Sequence, residues 1–581
     1  MITSALRHRP ESEDCFLYDA DHLRLRLHTA KDDIASVTVI AGDPYWIFAD
    51  ASGQNIFKYT ETKMTRIGQG ETQDYWGVTL TAPYHRVQYQ FVIEGLDGTK
   101  MLLGDRGLRA DTEANRQELS NYFRVPYMHA IDAVQTPDWV KRTVWYQIFP
   151  ERFANGDSNN DPVGTKPWRP EDHPGRDDFY GGDLQGVLDH LDDLQKLGVN
   201  GLYFCPIFAA SSNHKYDTID YLEIDPAFGD KALFAKLVKA AHKRGMKIML
   251  DAVFNHMGYE SMQWQDVLAN GAQSRFADWF HINEFPVMPF RNPIKGEGQP
   301  QYETFAFEPH MPKLNTANPE VQDYLLTVAK YWVKEFDIDA WRLDVANEVD
   351  HHFWRRFYSA VTSIKTDFYV LGEVWHSSQP WLNGGEFSGV MNYAYTELTM
   401  DHFLTHKQTA TQMVARLTDQ LMLYRDQVNQ VMLNMLDSHD TARLLTLAHD
   451  DQELALQTLA FIFTQTGAPC IYYGTEMGMD GDNDPDDRRP MDWSKLGGAT
   501  WQSVAALIKL RRKYADTLGK GTTKLSVAPN GLIVVERVGE QKLTAYFNTT
   551  DAPVQLTTDA ALAQGYAAGK LAPNGFVIKV D

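Results

Sequence analysis

Carboxylic acids and their polar partners recur in one kind of place along this 581-residue chain, at the ends of short apolar runs. Asp251 and His256 close the run KIMLDAVF (247–254), and Arg342 and Asp344 lie in DAWRLDV (339–345). Glu373 lies in FYVLGEVW (368–375), Asp437, His439 and Asp440 follow VMLNML (431–436), and Glu476 follows APCIYYG (468–474). If the runs are strands, Arg342 and Asp344 are two apart and share one face. A fixed positive charge beside Asp344 favours the carboxylate, which suits a nucleophile. Glu373 is flanked by Leu371, Val374 and Trp375, where desolvation favours the protonated form and suits a general acid. Two carboxyl groups of separated acidity on either side of one bond are the apparatus of glycoside hydrolysis, and a covalent retaining mechanism sets them about 5–5.5 Å apart. Asp440, beside His439, suits sugar hydroxyls and a developing positive charge. A stabilising ion network is the competing reading, but it has no need to gather at the ends of three different strands.

The elements that must position these groups are legible in the pattern. Further apolar runs, VWYQIF (144–149), GLYFCPIF (201–208) and GVMNYAY (389–395), bring the candidate strands to eight. Helical patterns separate most of them, as in residues 183–198, 231–245, 321–336 and 450–467, and several end on a glycine suited to a helix C-cap. Eight strand–helix alternations over about 380 residues predict a (β/α)8 barrel, with its active site at the C-terminal ends of the strands. The stretch of about 256–314 is rich in Gly, Pro and aromatic residues, and reads as a subdomain inserted after the third strand. Short alternating runs at 22–28, 36–42, 76–82 and 87–95 predict an N-terminal β-sandwich over 1–122. Runs at 531–538 and 542–548 predict a C-terminal β-domain over 519–581, leaving 123–518 for the barrel.

Composition narrows the ligand. Apolar content of 43% and aromatic content of 12% mark a folded globular chain. A net charge of −22 argues against nucleic acid or an anionic membrane as partner and leaves room for a neutral ligand. The N-terminal residues carry no signal-like apolar run and no segment reaches the roughly 20 apolar residues of a membrane span, so a cytoplasmic protein is expected. Cys15, Cys205 and Cys470 are far apart and read as buried small hydrophobes.

In this order along the chain, DAVFNH (251–256), WRLDVANE (341–348), LGEVWH (371–376) and DSHDT (437–441) resemble the α-amylase family of glycoside hydrolases. The resemblance implies hydrolysis of α-glucans with retention, with Asp344 as nucleophile, Glu373 as acid/base and Asp440 as transition-state stabiliser. It also implies that His256, His439 and Arg342 contact the sugar in the reacting subsite. VANE, MPKLN (311–315) and the β-rich N-terminal region are similar to the cyclomaltodextrinase, maltogenic amylase and neopullulanase subgroup. That likeness implies action on cyclodextrins, short maltodextrins and pullulan, glycosyl transfer, and a homodimer in which one N-terminal domain covers the partner's site. His214 and Tyr216 would line the reacting subsite, Asp484 and Arg488 the next sugars, and Glu348 the leaving-group side. Two departures stand out: Asp437 where the subgroup has a small residue, and Ala340 in place of a glycine.

NGDSNNDP (155–162) followed by GGD (181–183) offers Asn155, Asp157, Asn160, Asp161, the Gly181 carbonyl and Asp183, an oxygen-rich set suited to calcium. The subgroup has a calcium site at these spacings; an Asx-rich turn closed by its own hydrogen bonds is the alternative. No organic cofactor is expected. A metal-dependent hydrolase on the same barrel would want histidines on an inner strand, and the first strand has none. An oligo-1,6-glucosidase and an inactive carbohydrate-binding barrel remain as alternatives, the second opposed by the presence of all three carboxylates and Arg342.

Overall fold

The computed structural model describes residues 1–581. By packing, the chain forms two units: one of residues 1–135, 406–429 and 524–535, the other of 136–405, 430–523 and 536–581. The sequence pattern alone assigns 406–429 to the barrel and 524–535 to the C-terminal β-domain, so the two divisions differ at both segments.

In the first unit, strands Cys15–Leu17, His22–Ala30, Gln73–Thr81 and Thr65–Gln69 pair in that order into one sheet. Gly107–Ala110, Lys100–Gly104, Gln88–Gly95, Ile34–Gly42 and Thr60–Lys63 form the other. Alternation sends Leu23, Leu25 and Leu27 of one sheet into a shared core with Val37, Val39, Phe91 and Ile93 of the other. The remaining face of the Leu23 strand is buried at Arg26 and His28. Arg26 is 1% exposed and donates to the Tyr424 carbonyl (2.8 Å) and to Asp426, both in the 406–429 segment. A buried guanidinium needs such partners, which is why this segment belongs with the sandwich.

The second unit is built on eight parallel strands: β1 (Trp145–Ile148), β2 (Gly201–Phe204), β3 (Lys247–Ala252), β4 (Ala340–Leu343), β5 (Tyr369–Gly372), β6 (Gly389–Val390), β7 (Leu433–Asn434) and β8 (Ala468–Tyr472). They pair in the order β6-β5-β4-β3-β2-β1-β8-β7, and a parallel bridge between Met391 and Leu433 closes the ring. This is the predicted (β/α)8 barrel, with a core of Trp145, Tyr203, Met249, Tyr369, Leu371 and Leu433 among others. Three details differ from the sequence pattern. β6 is cut short because Tyr393 already opens the helix Tyr393–Phe403. The single helix expected over 183–198 is two, Leu184–Asp189 and Leu191–Leu197, parted at His190. The helix Gln452–Thr464 stops three residues before Gly467.

After β3 the inserted segment carries the helix Met262–Asn270 and isolated bridges, His256 to Lys313 and Phe280 to Leu314 among them. C-terminal strands Lys542–Phe547, Val554–Gln555, Leu562–Ala567 and Lys570–Val580 form an antiparallel sheet.

Candidate active site

The barrel ladder itself fixes the rim. Asp251 on β3 is in register with Arg342 on β4. One residue past its strand, the Asp344 N–H donates to the Ala252 carbonyl (3.1 Å), and the Glu373 N–H donates to the Leu343 carbonyl (3.0 Å). Both carboxylates are thus pinned by main-chain bonds before their side chains make any contact. Val345 then turns with φ 47, a left-handed conformation that strains a β-branched residue by about 1–3 kcal/mol. That turn aims its N–H at Glu373 Oε2 (2.8 Å).

Arg342 is fully buried at the centre. Its Nη1 donates to Asp251 (3.0 Å to both oxygens) and to Asp344 Oδ1 (2.7 Å), and its Nη2 lies 2.9 Å from Glu373 Oε1. The environments are therefore less separate than the flanking residues suggest: Glu373 shares the guanidinium with Asp344 instead of sitting in an apolar pocket. Its other neighbour, the Trp375 indole N–H, donates to Oε1 at 3.0 Å. Trp375 stacks on Tyr393 at 3.7 Å between centroids and is 48% exposed, so it lies at the open edge of the site.

A second chain of bonds runs across the barrel mouth. The Tyr216 hydroxyl lies 3.0 Å from Asp251 Oδ2 and also bonds His439 Nε2, on which the ring stacks at 5.3 Å and 3°. Gln147 Nε2, on β1, is 2.7 Å from His439 Nδ1. Burial, and after it the charges of Arg488 and Arg342, hold His439 well below the usual imidazole range, so it is neutral. With Gln147 donating to Nδ1, the Nε2–H faces Tyr216 and Asp440 Oδ2 (3.3 Å). Arg488 donates from Nε to the His439 carbonyl (2.8 Å) and lies 3.0 Å from Asp484 and 3.6 Å from Asp440.

Carboxylates outnumber cations here, and burial adds to the effect. Burial, opposed by Arg342, raises Asp251 to about 6. Burial and then Glu373 raise Asp440 to about 7 against Arg342 and Arg488. Asp344 is pushed up by burial against the pull of Arg342. The cluster as a whole therefore holds on to a proton near neutral pH.

The other expected residues divide. His214 stacks on Tyr216 (5.9 Å) and accepts its N–H at Nδ1 (3.1 Å), and burial lowers it to about 4. His256 is buried beneath this loop, Nε2 on the Tyr216 carbonyl (3.1 Å), and burial lowers it to about 3. It supports the Tyr216 main chain. Glu348 is exposed and paired with Lys313 (3.1 Å), which also bonds Asn255. Asp437 turns away from His439: its Oδ2 accepts from the Leu444 N–H (3.0 Å) and Thr475 Oγ1 (2.7 Å). Glu476 is likewise buried, bonded to Tyr146 (2.7 Å). In the sequence pattern Gln147 and Tyr203 (3.1 Å from Asp251) carry no role, and Trp375 only that of an apolar flank of Glu373. The inward-facing polar residue amid the apolar run VWYQIF was a usable signal for the first; the other two resemble ordinary core aromatics.

A family model described as the α-amylase catalytic domain matches residues 147–526, and one described as the α-amylase N-terminal ig-like domain matches 1–129. The chain belongs to the α-amylase family of glycoside hydrolases. Within the family it is 47% identical over 551 residues to the intracellular maltogenic amylase of Bacillus subtilis, covering 94% of this chain and 91% of that one. It is 45% identical over 562 residues to a cyclomaltodextrinase of Geobacillus thermopakistaniensis, covering 96% and 92%. It is 43% identical over 519 residues to neopullulanase 2 of Thermoactinomyces vulgaris, covering 89% and 85%. A solved cyclomaltodextrinase superposes with a TM-score of 0.88 at 42% identity, covering 97% of this chain and 95% of that one.

Proposed function

We propose that this α-amylase family member cleaves α-1,4-glucosidic bonds in cyclodextrins, maltooligosaccharides and pullulan with retention, and passes the glycosyl group to sugar acceptors as well as to water. The observation that carries the reading is the single guanidinium that holds Asp344 and Glu373 together at the barrel mouth. Asp344 attacks the anomeric carbon as the C–O bond to the leaving sugar breaks, and Glu373 gives its proton to the departing oxygen. Glu373 then takes a proton from water or an acceptor hydroxyl, whose oxygen displaces Asp344. Asp440, held by Arg488, stabilises the positive charge that develops on the sugar in the transition state of each step. Tyr216 offers its ring to the sugar, with His214, His439, Arg342 and Asp484 around it and Glu348 towards the leaving group. The names of the relatives support the choice of substrates and, with "intracellular" among them, a cytoplasmic location. Asp344→Asn should lose nearly all hydrolysis of maltotriose and β-cyclodextrin with an unchanged circular dichroism spectrum; near-wild-type turnover would overturn the mechanism.

A structural calcium fits the loop after β1. Asn155 and Asp161 press against Gly181 (φ +81), where a Cβ would collide with both, and Asn160 Oδ1 is buried with no hydrogen-bond partner. Asn155, Asp157, Asn160, Asp161 and the Gly181 carbonyl would hold the ion, which takes no part in the chemistry. Asp183 fits less well, since its oxygens accept from Gly156, Asp157 and Gly186 N–H groups. The first unit exposes Tyr45 (75%) and Tyr84 (52%), with Arg86 over both rings, and also Phe48 (48%), covered by Lys58. Such a patch supports a homodimer, to be checked by light scattering against the 66.2 kDa chain mass.

A further inference from the structure

Outside the cleft, the barrel unit contains a pocket of about 590 Å³ whose walls come from the loop around Trp168 and from the residues after β8. Its apolar surface is Trp168, Trp493, Met479 and Met491. Both indole N–H groups are already spent, Trp168 on the Met491 carbonyl (3.1 Å) and Trp493 on the Phe153 carbonyl (2.8 Å). What the tryptophans offer a ligand is therefore their ring faces. Trp493 has one face stacked on His190 at 3.5 Å, so its remaining half-buried surface is the face towards the pocket.

The charged lining is self-compensated. Arg489 pairs with Asp480 (3.2 Å), Lys495 with Asp492 (3.5 Å), and Glu171 stands at the exposed edge. No uncompensated cation or cluster of anions selects an ion. Aromatic faces bordered by paired donors and acceptors suit a neutral polyhydroxylated ring, which stacks its C–H face and bonds its hydroxyls at the edge. The volume is that of an ordinary small-molecule site, typically about 300–1,000 Å³, and has room for a maltose-sized unit.

The pocket is separate from the cleft yet shares a loop with it. Arg488 faces Asp440 and Asp484, whereas Arg489, the next residue, faces Asp480, Asp486 and His173. We propose that the Trp168–Trp493 pocket is a second α-glucan-binding site, which holds a maltose unit of substrate or product beside the catalytic cleft.

The proposal rests on the α-glucan reading above. The test is calorimetric titration of maltose into full-length Asp344→Asn, Asp344→Asn/Trp168→Ala and Asp344→Asn/Glu171→Gln. The expected result is one fewer maltose per chain in the Trp168 variant, or that site weakened by about tenfold or more. Glu171→Gln, an exposed change that leaves packing alone, should weaken the same site several-fold, and Trp168→Ala in the otherwise native chain should leave kcat on maltotriose unchanged. Cellobiose, with the same hydroxyl count but a β linkage, should not compete. Equal stoichiometry and affinity in all three proteins, or full competition by cellobiose, overturns the pocket assignment. Absence of maltose binding to any of them would overturn the α-glucan reading itself.

Discussion

Asp344 and Glu373 accept from opposite terminal nitrogens of one guanidinium, that of Arg342, at 2.7 and 2.9 Å. Only a planar fork can hold two carboxyl groups this way while a third, Asp251, is bound at 3.0 Å. Arg342→Lys keeps the charge and loses the fork. It should lower kcat/KM on maltotriose by about 10²–10⁴-fold, with KM changed far less than kcat. A loss below tenfold would show that charge alone suffices.

Arg488 opposes the burial that raises Asp440 to about 7. If Asp440 works ionised, activity falls as pH drops through that value. Removing Arg488 removes a positive charge 3.6 Å from Asp440, so its acidity weakens further. Arg488→Gln should therefore move the acid limb of the kcat/KM profile to higher pH. A limb that stays in place or moves to lower pH contradicts the role given to Asp440.

How far the sequence carried can be judged at these same residues. The barrel was legible because each strand is a short apolar run punctuated by turns and helices, a local signal. Arg342 beside Asp344 was legible too, since residues two apart on a strand share a face. Arg342 beside Glu373 was not: the neighbours of Glu373 in sequence are Leu371, Val374 and Trp375, whereas its charged partner comes from the adjacent strand. The same limit hid the attachment of residues 406–429 to the sandwich. An amphipathic helix such as Ala410–Met422 announces that it has a partner without saying which. The orientation of Asp437 was hidden for a related reason, since its bonds to Leu444 and Thr475 cross between loops.

If calcium occupies the loop of Asn155, Asp157, Asn160 and Asp161, chelation should act on stability and leave the chemistry alone. Dialysis against EDTA is expected to shorten the half-life of thermal inactivation, with kcat at 25 °C within about twofold and calcium restoring the loss. Asp161→Ala should behave as the chelated protein does and be insensitive to EDTA. Identical inactivation with and without EDTA would remove the ion from this loop.

The opposite end of β4 governs stability. Asp339, 1% exposed, is bonded by His242 (2.8 Å), Lys247 (2.8 Å) and Lys365 (2.7 Å), and also accepts the Ile248 N–H (3.0 Å). Burial alone would raise its pKa, but these partners outweigh it and hold the carboxyl well below the usual range. A depressed folded value means that the stabilisation is fully present above the unfolded carboxylate value, about 3.9, and is lost as pH falls below it. Asp339→Asn leaves four cationic or polar partners facing an amide. It should destabilise the barrel unit by about 2–3 kcal/mol at pH 7, discounted from a fully buried pair because Lys247 and Lys365 are partly exposed. Urea unfolding followed at pH 7 and again at pH 3.5 should show the deficit shrinking at the lower pH. Because Asp344 lies at the other end of the strand, kcat should be unchanged. A pH-independent deficit would assign the loss to packing instead of to the ionised carboxylate.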